Sequence, residues 1–197
     1  MALKVLGVSG SMREGSHSAR ALRIVLDSAA ERGAETRFLD LRAADLPLYR
    51  PDFTPQHDGL TGATEAAAWA EAFVLATPDY HGSMSGAMKN FLDHHWEEFA
   101  GKLFGYLCAS HEKGLTVMDQ MRTAVRQCYG WSLPYGVSFN GKEDFDAAGN
   151  VTNNTVARRL HMCERDLVIY GALISDQLRR DLADTATDTF AARYRKK

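Results

Sequence analysis

Two stretches of this chain combine hydroxyls, glycines, a guanidinium and an aromatic ring at spacings suited to a flat, anionic ligand, and a third, weaker one adjoins them. The first, Ser9-Gly-Ser-Met-Arg-Glu-Gly-Ser-His-Ser18, sets serine hydroxyls and Arg13 around Gly10 and Gly15. Unpaired N–H groups at a helix N-terminus favour anions, hydroxyls add donors, and arginine can supply a bidentate charge-assisted contact. The two glycines let the backbone come close to a ligand. The same residues could simply start a helix, with Ser16 or Ser18 as N-cap and Arg13 as a surface charge. Gly10 and Gly15 have the Walker spacing, but Ser16-His17 replaces the required Lys-Ser/Thr pair, which argues against nucleotide triphosphate hydrolysis. A GxGxxG fingerprint is also missing, which argues against a dinucleotide held in that mode.

The second stretch follows the apolar run Phe73-Val-Leu-Ala76 and reads Thr-Pro-Asp-Tyr-His-Gly-Ser-Met-Ser-Gly-Ala-Met-Lys-Asn-Phe-Leu over residues 77–92. Pro78, Asp79, Tyr80, His81, Gly82 and Ser83 offer backbone N–H groups, a ring and polar side chains for one edge of a heteroaromatic ligand. Pro78 restrains Thr77 to an extended conformation, and Ser83 or Ser85 could equally cap the next helix. The sequence Gly82-Ser-Met-Ser-Gly86 lacks GxSxG spacing, so a serine hydrolase with His81 as base is an outside reading. In the third stretch, Ala109-Ser-His-Glu-Lys-Gly114, Ser110 and Gly114 are the residues that could face a ligand, while His111, Glu112 and Lys113 read as a solvated turn.

Each stretch needs a strand to deliver it and a helix to receive it. Leu3–Ser9 reads as a strand, Ser18–Arg32 as a helix with Leu22, Val25, Leu26 and Ala29 at spacings of three and four, and Thr36–Leu41 as a second strand. Gly33 is placed to end that helix, giving a βαβ opening and arguing for a parallel sheet. Prolines at 47, 51 and 55 make 46–55 a loop. Thr61–Glu71 is an alanine-rich helix, Phe73–Ala76 a third strand, Gly86–Phe99 a helix and Leu103–Ala109 a fourth strand. Leu115–Tyr129 is helical, Leu133–Phe139 a fifth strand despite Pro134, and Asn153–Leu182 a long closing helix. The expectation is an α/β fold: a three-layer, doubly wound, five-stranded parallel sheet of order 2-1-3-4-5, with residues 1–197 as one domain. Ligands in such sheets sit beyond the carboxyl ends of the strands, where all three stretches fall.

Bulk properties narrow the class. The chain has 197 residues, 45% hydrophobic and 24% charged, with a formal net charge of −2, so nothing points to nucleic acid or a membrane surface as partner. Cys108, Cys128 and Cys163 have no CxxC spacing, which argues against a disulfide framework or a cysteine metal site and for a reducing, cytoplasmic location. His94 and His95 are adjacent, so on a helix their side chains diverge and paired metal ligation is not expected. No metal site is assigned. Trp69, Trp96 and Trp131 read as core or interface residues, and Arg193-Tyr-Arg-Lys-Lys197 as a solvated end.

Taken together, these motifs closely resemble those of the NADPH-dependent FMN reductase family of flavodoxin-like proteins. The family's GSxRxxS corresponds to Gly10, Ser11, Arg13 and Ser16, and its TPEYxxSxxGxLKN-like segment to Thr77–Asn90, with Asp79 where glutamate is commoner and Met88 where leucine is. After the fourth strand the family has a glycine-rich turn, and here only Gly114 is present. The resemblance implies FMN as cofactor, its phosphate on Ser11, Arg13, Ser16 and Ser18 and its isoalloxazine along Pro78–Ser83. It further implies NADPH or NADH as a transient hydride donor, with a flavin, quinone, azo compound or metal oxyanion as acceptor. No side chain need act as acid or base in that chemistry, so no catalytic residue is assigned. A homodimer or homotetramer is implied as well, with loop 46–55 at the rim of the flavin site. The alternative within the same fold is an electron carrier or redox sensor that holds FMN without a nicotinamide site.

Overall fold

The computed structural model describes residues 1–194, so the last part of the basic end, Arg195–Lys197, lies outside the described residues. The elements run β1 (Lys4–Ser9), α1 (His17–Glu31), β2 (Glu35–Asp40), α2 (Leu41–Ala44), α3 (Asp58–Trp69), β3 (Ala72–Pro78), α4 (Gly86–His94), β4 (Leu103–Ala109), α5 (Leu115–Gln127), β5 (Trp131–Ser132), β6 (Val137–Phe139) and α6 (Asn154–Ala183). All paired strands are parallel in the order β2-β1-β3-β4-β5, and β6 also pairs with β4.

Two cores make this a three-layer structure. On one face Leu6, Phe73, Leu75, Phe104 and Tyr106 meet Ala63 and Ala67 of α3, Met88 and Phe91 of α4, and Met121 and Val125 of α5. The rings of Phe73 and Phe104 stack there at 4.5 Å. On the other face Val5, Val74, Ala76 and Leu107 meet Leu22, Val25 and Leu26 of α1 and Leu160, Cys163 and Leu167 of α6. Helices on both sides explain why β3 and β4 read as unbroken apolar runs, whereas the edge strand β2 alternates.

Two expectations are corrected. The fifth strand is two strands: Trp131–Ser132 pairs with Leu103–Phe104, Val137–Phe139 pairs with Leu107–Ala109, and the chain between them carries two extra residues relative to β4. Pro134 has no N–H for a ladder, and α6 holds the bulged segment through Tyr135 Oη donating to Asp166 Oδ2 at 2.7 Å and Arg159 Nη2 donating to the Gly136 carbonyl at 2.8 Å. The helix expected over Gly86–Phe99 ends at His94, and Glu97–Phe99 forms a separate 3-10 turn. His95 is extended and buried, and its ring donates from Nδ1 to the Phe91 carbonyl at 2.8 Å, supplying the donor that the next helical turn would have provided.

The proline-rich segment is irregular, as its composition requires. It is pinned to α4: Asn90 Nδ2 donates to the Pro47 carbonyl at 2.9 Å, Asn90 Oδ1 accepts the Tyr49 N–H at 2.8 Å, and His94 Nε2 donates to the Pro47 carbonyl at 2.8 Å. Leu48, Tyr49 and Phe53 are left exposed.

Candidate functional site

The carboxyl ends of β1, β3, β4 and β6 open into a cleft of about 290 Å³. Of the residues expected from sequence, Ser11, Arg13, Ser16, Ser18, Pro78, Asp79, Tyr80 and Ser110 line it. Ser9 ends β1, buried and in register with Ala76, and does not reach this lining. His81, Gly82 and Gly114 line an adjoining cleft of about 540 Å³ that shares Asp79, Ser110 and His111 with the first.

The first corner leaves donors over. Ser16 is the N-cap of α1: its Oγ accepts the Ala19 N–H at 3.2 Å and lies 3.3 Å from Ser18 Oγ. Ser11 Oγ accepts the Arg13 N–H at 3.2 Å. Each hydroxyl carries one proton, so the Ser16–Ser18 contact uses one of its two, and the Ser11 proton has no acceptor among the described residues. The N–H groups of His17 and Ser18, at the first turn of α1, also have no acceptor among the described residues, as expected at a helix start. Arg13 has no carboxylate partner among the described residues. Burial first, and then the Arg20 and Arg13 charges, hold His17 below its ordinary pKa. Buried hydroxyls, free N–H groups and unneutralised positive charge are the donor set of an anion site, and they fit a phosphate monoester.

The second corner is a tight turn. Tyr80 and Ser83 exchange N–H···O=C bonds at 2.9 and 3.1 Å, with His81 and Gly82 between them at φ of 58° and 75°. Asp79 Oδ1 accepts the Gly82 N–H at 2.8 Å, and the Asp79 N–H donates to the Ala109 carbonyl at 2.9 Å. The expectation of free backbone N–H groups along this segment is therefore corrected. Those of Tyr80, Gly82 and Ser83 are spent on holding the turn and that of Asp79 on β4, and His81 keeps the amide with no acceptor among the described residues. Ser83 Oγ donates to Gln120 Oε1 at 2.8 Å, tying the turn to α5. Ser85 is the cap of α4: its Oγ accepts the Met88 N–H at 3.1 Å and donates to the Gly10 carbonyl at 2.6 Å, joining the second corner to the first. Neither serine is bonded to His81, so the pairing a serine nucleophile needs is not formed here.

The third corner is locked to the second. Ser110 Oγ donates to Asp79 Oδ2 at 2.8 Å and accepts the Glu112 N–H at 3.0 Å, while its own N–H donates to the Phe139 carbonyl at 2.9 Å. Gly114 starts α5 at φ 59°, and a Cβ there would lie 2.8 Å from Cys108 Sγ, so the turn passes directly over that thiol. Burial, then the Asp79 charge, pushes the Cys108 pKa up to about 12, so it stays a thiol and packs.

Asn140, Gly141 and Lys142 form a wall that the sequence reading missed, together with His17 and His111. The wall is held by Asp144, whose Oδ2 accepts the Asn140 N–H at 2.7 Å and whose Oδ1 accepts from Asn153 Nδ2 at 2.7 Å, at the N-cap of α6. A signal was present: Asn140 directly follows the strand expected to end at Phe139, and ligands collect beyond strand ends. Among the described residues no group of three or more His, Cys, Asp or Glu could hold a metal ion, and no helix is long and apolar enough to cross a membrane.

Residues 3–144 match the model of the family described as NADPH-dependent FMN reductase. Over 159 residues the chain is 30% identical to the FMN-dependent NADPH-azoreductase of Staphylococcus aureus (strain USA300), an alignment covering 75% of this chain and 81% of the relative. Among solved structures, the apo form of the NADH:FMN oxidoreductase EMOB matches with a TM-score of 0.73 at 21% identity, covering 86% of this chain and 90% of that one. FerB, an NAD(P)H:(acceptor) oxidoreductase from Paracoccus denitrificans, matches with a TM-score of 0.72 at 19% identity, covering 87% and 98%. At these identities the two structures share the fold.

Proposed function

The chain belongs to the NADPH-dependent FMN reductase family, and from that premise we propose that residues 1–197 form one flavodoxin-like domain whose cleft holds FMN and admits NADPH or NADH. When bound, FMN supplies the redox chemistry, accepting hydride from the nicotinamide and passing electrons to an acceptor. The observation that carries the assignment is the donor surplus at the start of α1. The hydroxyl proton of Ser11, one of the two carried by the Ser16–Ser18 pair, the N–H groups of His17 and Ser18, and the Arg13 guanidinium all lack acceptors among the described residues and meet a single cleft. In this reading they hold the phosphate.

Pro78 through Ser83 would form the rigid edge for the ring system, with Pro78, Asp79 and Tyr80 lining the cleft beside Ser110 and with Gly114 setting the start of the third wall. The Asp79 carboxylate positions rather than reacts: it fixes Gly82 and Ser110 together. The His81 amide at the tip of the turn is a remaining donor for a polar ring edge. Asn140 and Lys142 line the same cleft as Tyr80. No side chain need transfer a proton, so none is assigned a catalytic role.

The acceptor is a small molecule, drawn from flavins, quinones, azo compounds and metal oxyanions. The staphylococcal relative makes an azo compound the first to test. Exposed Leu48, Tyr49 and Phe53 on the pinned proline-rich loop suit an interface between copies, in keeping with a homodimer or homotetramer working in the cytoplasm. The test is a flavin titration. Tight FMN binding with markedly weaker riboflavin binding is expected, and equal affinity for the two would remove the phosphate site.

A further inference from the structure

At the opposite end of the sheet, α5, β5 and a 3-10 segment at Phe190–Tyr194 border a second cleft of about 670 Å³. Trp131, on its lining, pairs with Leu103 at the amino end of β4, whereas the flavin cleft lies beyond Ala109 at the other end of that strand. Six strand steps put the two about 20 Å apart.

Tyr129 also lines this cleft, and its backbone is unusual. It follows α5 at φ 60°, where Tyr129 N–H bonds the Arg126 carbonyl at 3.0 Å and Gly130 N–H bonds the Val125 carbonyl at 2.9 Å. That is the helix-ending position usually given to glycine, and a bulky ring there is strained. Strain retained at an exposed aromatic side chain is a pointer to function rather than to packing. Its ring contacts Phe190 at 5.6 Å, and Trp131, on the same lining, is 60% exposed.

The polar lining is cationic. Asp119 Oδ1 accepts from Arg122 Nη1 at 2.9 Å, so that carboxylate is neutralised, while Arg126 has no ion-pair partner among the described residues. The backbone adds a donor. Trp131 and Leu133 direct their N–H groups to β4, so strand alternation turns the Ser132 N–H outward to the open edge of β5, on the same cleft.

We infer that this cleft is a second binding site, separate from the flavin cleft, for a flat aromatic monoanion. The Tyr129, Phe190 and Trp131 rings take its faces, and Arg126 with the Ser132 N–H takes its acidic group.

The test is calorimetric titration of the FMN-loaded protein with 2-naphthoate and with its neutral counterpart 2-naphthamide. One naphthoate per chain is expected in the presence of saturating NADP⁺. Arg126→Gln should weaken naphthoate about tenfold and leave naphthamide unchanged. Trp131→Ala should weaken both, with the flavin absorbance of each variant showing FMN still bound. Loss of naphthoate binding on adding NADP⁺, or unchanged affinity in both variants, would overturn the inference. So would a fall in oligomer mass in Trp131→Ala, which would make the cleft a contact between copies. Because FMN retention is read separately, failure here leaves the flavin assignment standing.

Discussion

Replacing Arg13 with alanine should weaken FMN and spare riboflavin. Arg13 lines the cleft beside Ser11, Ser16 and Ser18, and no carboxylate among the described residues competes for it, so phosphate binding breaks no existing ion pair. A hydrogen bond to a charged group contributes about 1.5–3 kcal/mol, and because Arg13 is exposed the lower end applies. That is about a tenfold loss in FMN affinity. Riboflavin lacks the phosphate, so its dissociation constant should be unchanged, and the preference for FMN over riboflavin should fall by the same factor. The assay is quenching of free-flavin fluorescence at fixed ionic strength, with a repeat at higher salt, where the wild-type preference should shrink towards that of the variant. Equal losses for both flavins would refute the reasoning, because Arg13 would then be shaping the ring pocket. Unchanged FMN binding would refute it too.

Asp79→Ala should behave in the opposite way: releasing Gly82 N–H and Ser110 Oγ loosens the ring edge, so FMN and riboflavin both weaken by a similar factor of about tenfold. Loss of FMN alone, in the same fluorescence assay, would contradict this. Gly114→Ala should destabilise the fold by about 2 kcal/mol, because the added Cβ meets Cys108 Sγ at 2.8 Å from a left-handed backbone, and urea unfolding would read it. Lys102 gives a pH signature. Burial holds its pKa at about 8 rather than 10.5, opposed by the Glu98 and Glu71 charges. The unfolded chain therefore binds more protons across that interval, and stability rises with pH. Between about pH 7 and about pH 9 this single group adds about 1.3 kcal/mol. Thermal unfolding of Lys102→Met should lack that rise, and an identical pH slope in both proteins would rule out Lys102 as its source.

The parallel order was legible because its signals are local: the apolar spacing of Leu22, Val25 and Leu26, the stop at Gly33 and the unbroken apolar strands each speak for their own segment. The split of the last strand was not, since Pro134 alone is compatible with a strand start. What bulges the chain there is its attachment to α6, through Tyr135 to Asp166 and Gly136 to Arg159. His95 ends a helix for a similar reason: it is buried among aromatic rings, with Nε2 against Thr64 Oγ1 at 3.2 Å. At the site, the residue types of the first two corners were readable as motifs. Their bookkeeping was not, because it is settled by contacts such as Asp79 with Ser110 and Ser83 with Gln120, between residues far apart in the chain. The N–H groups of the turn are occupied except that of His81, and the other surplus donors lie at the start of α1.

The most direct test of the account is anaerobic addition of NADPH to the FMN-loaded protein, following the flavin's long-wavelength absorbance, and then addition of an azo dye. Rapid bleaching by NADPH is expected, followed by recovery of the flavin band as the dye is consumed. A flavin that binds but stays oxidised in the presence of NADPH would contradict it and leave the chain a carrier or sensor.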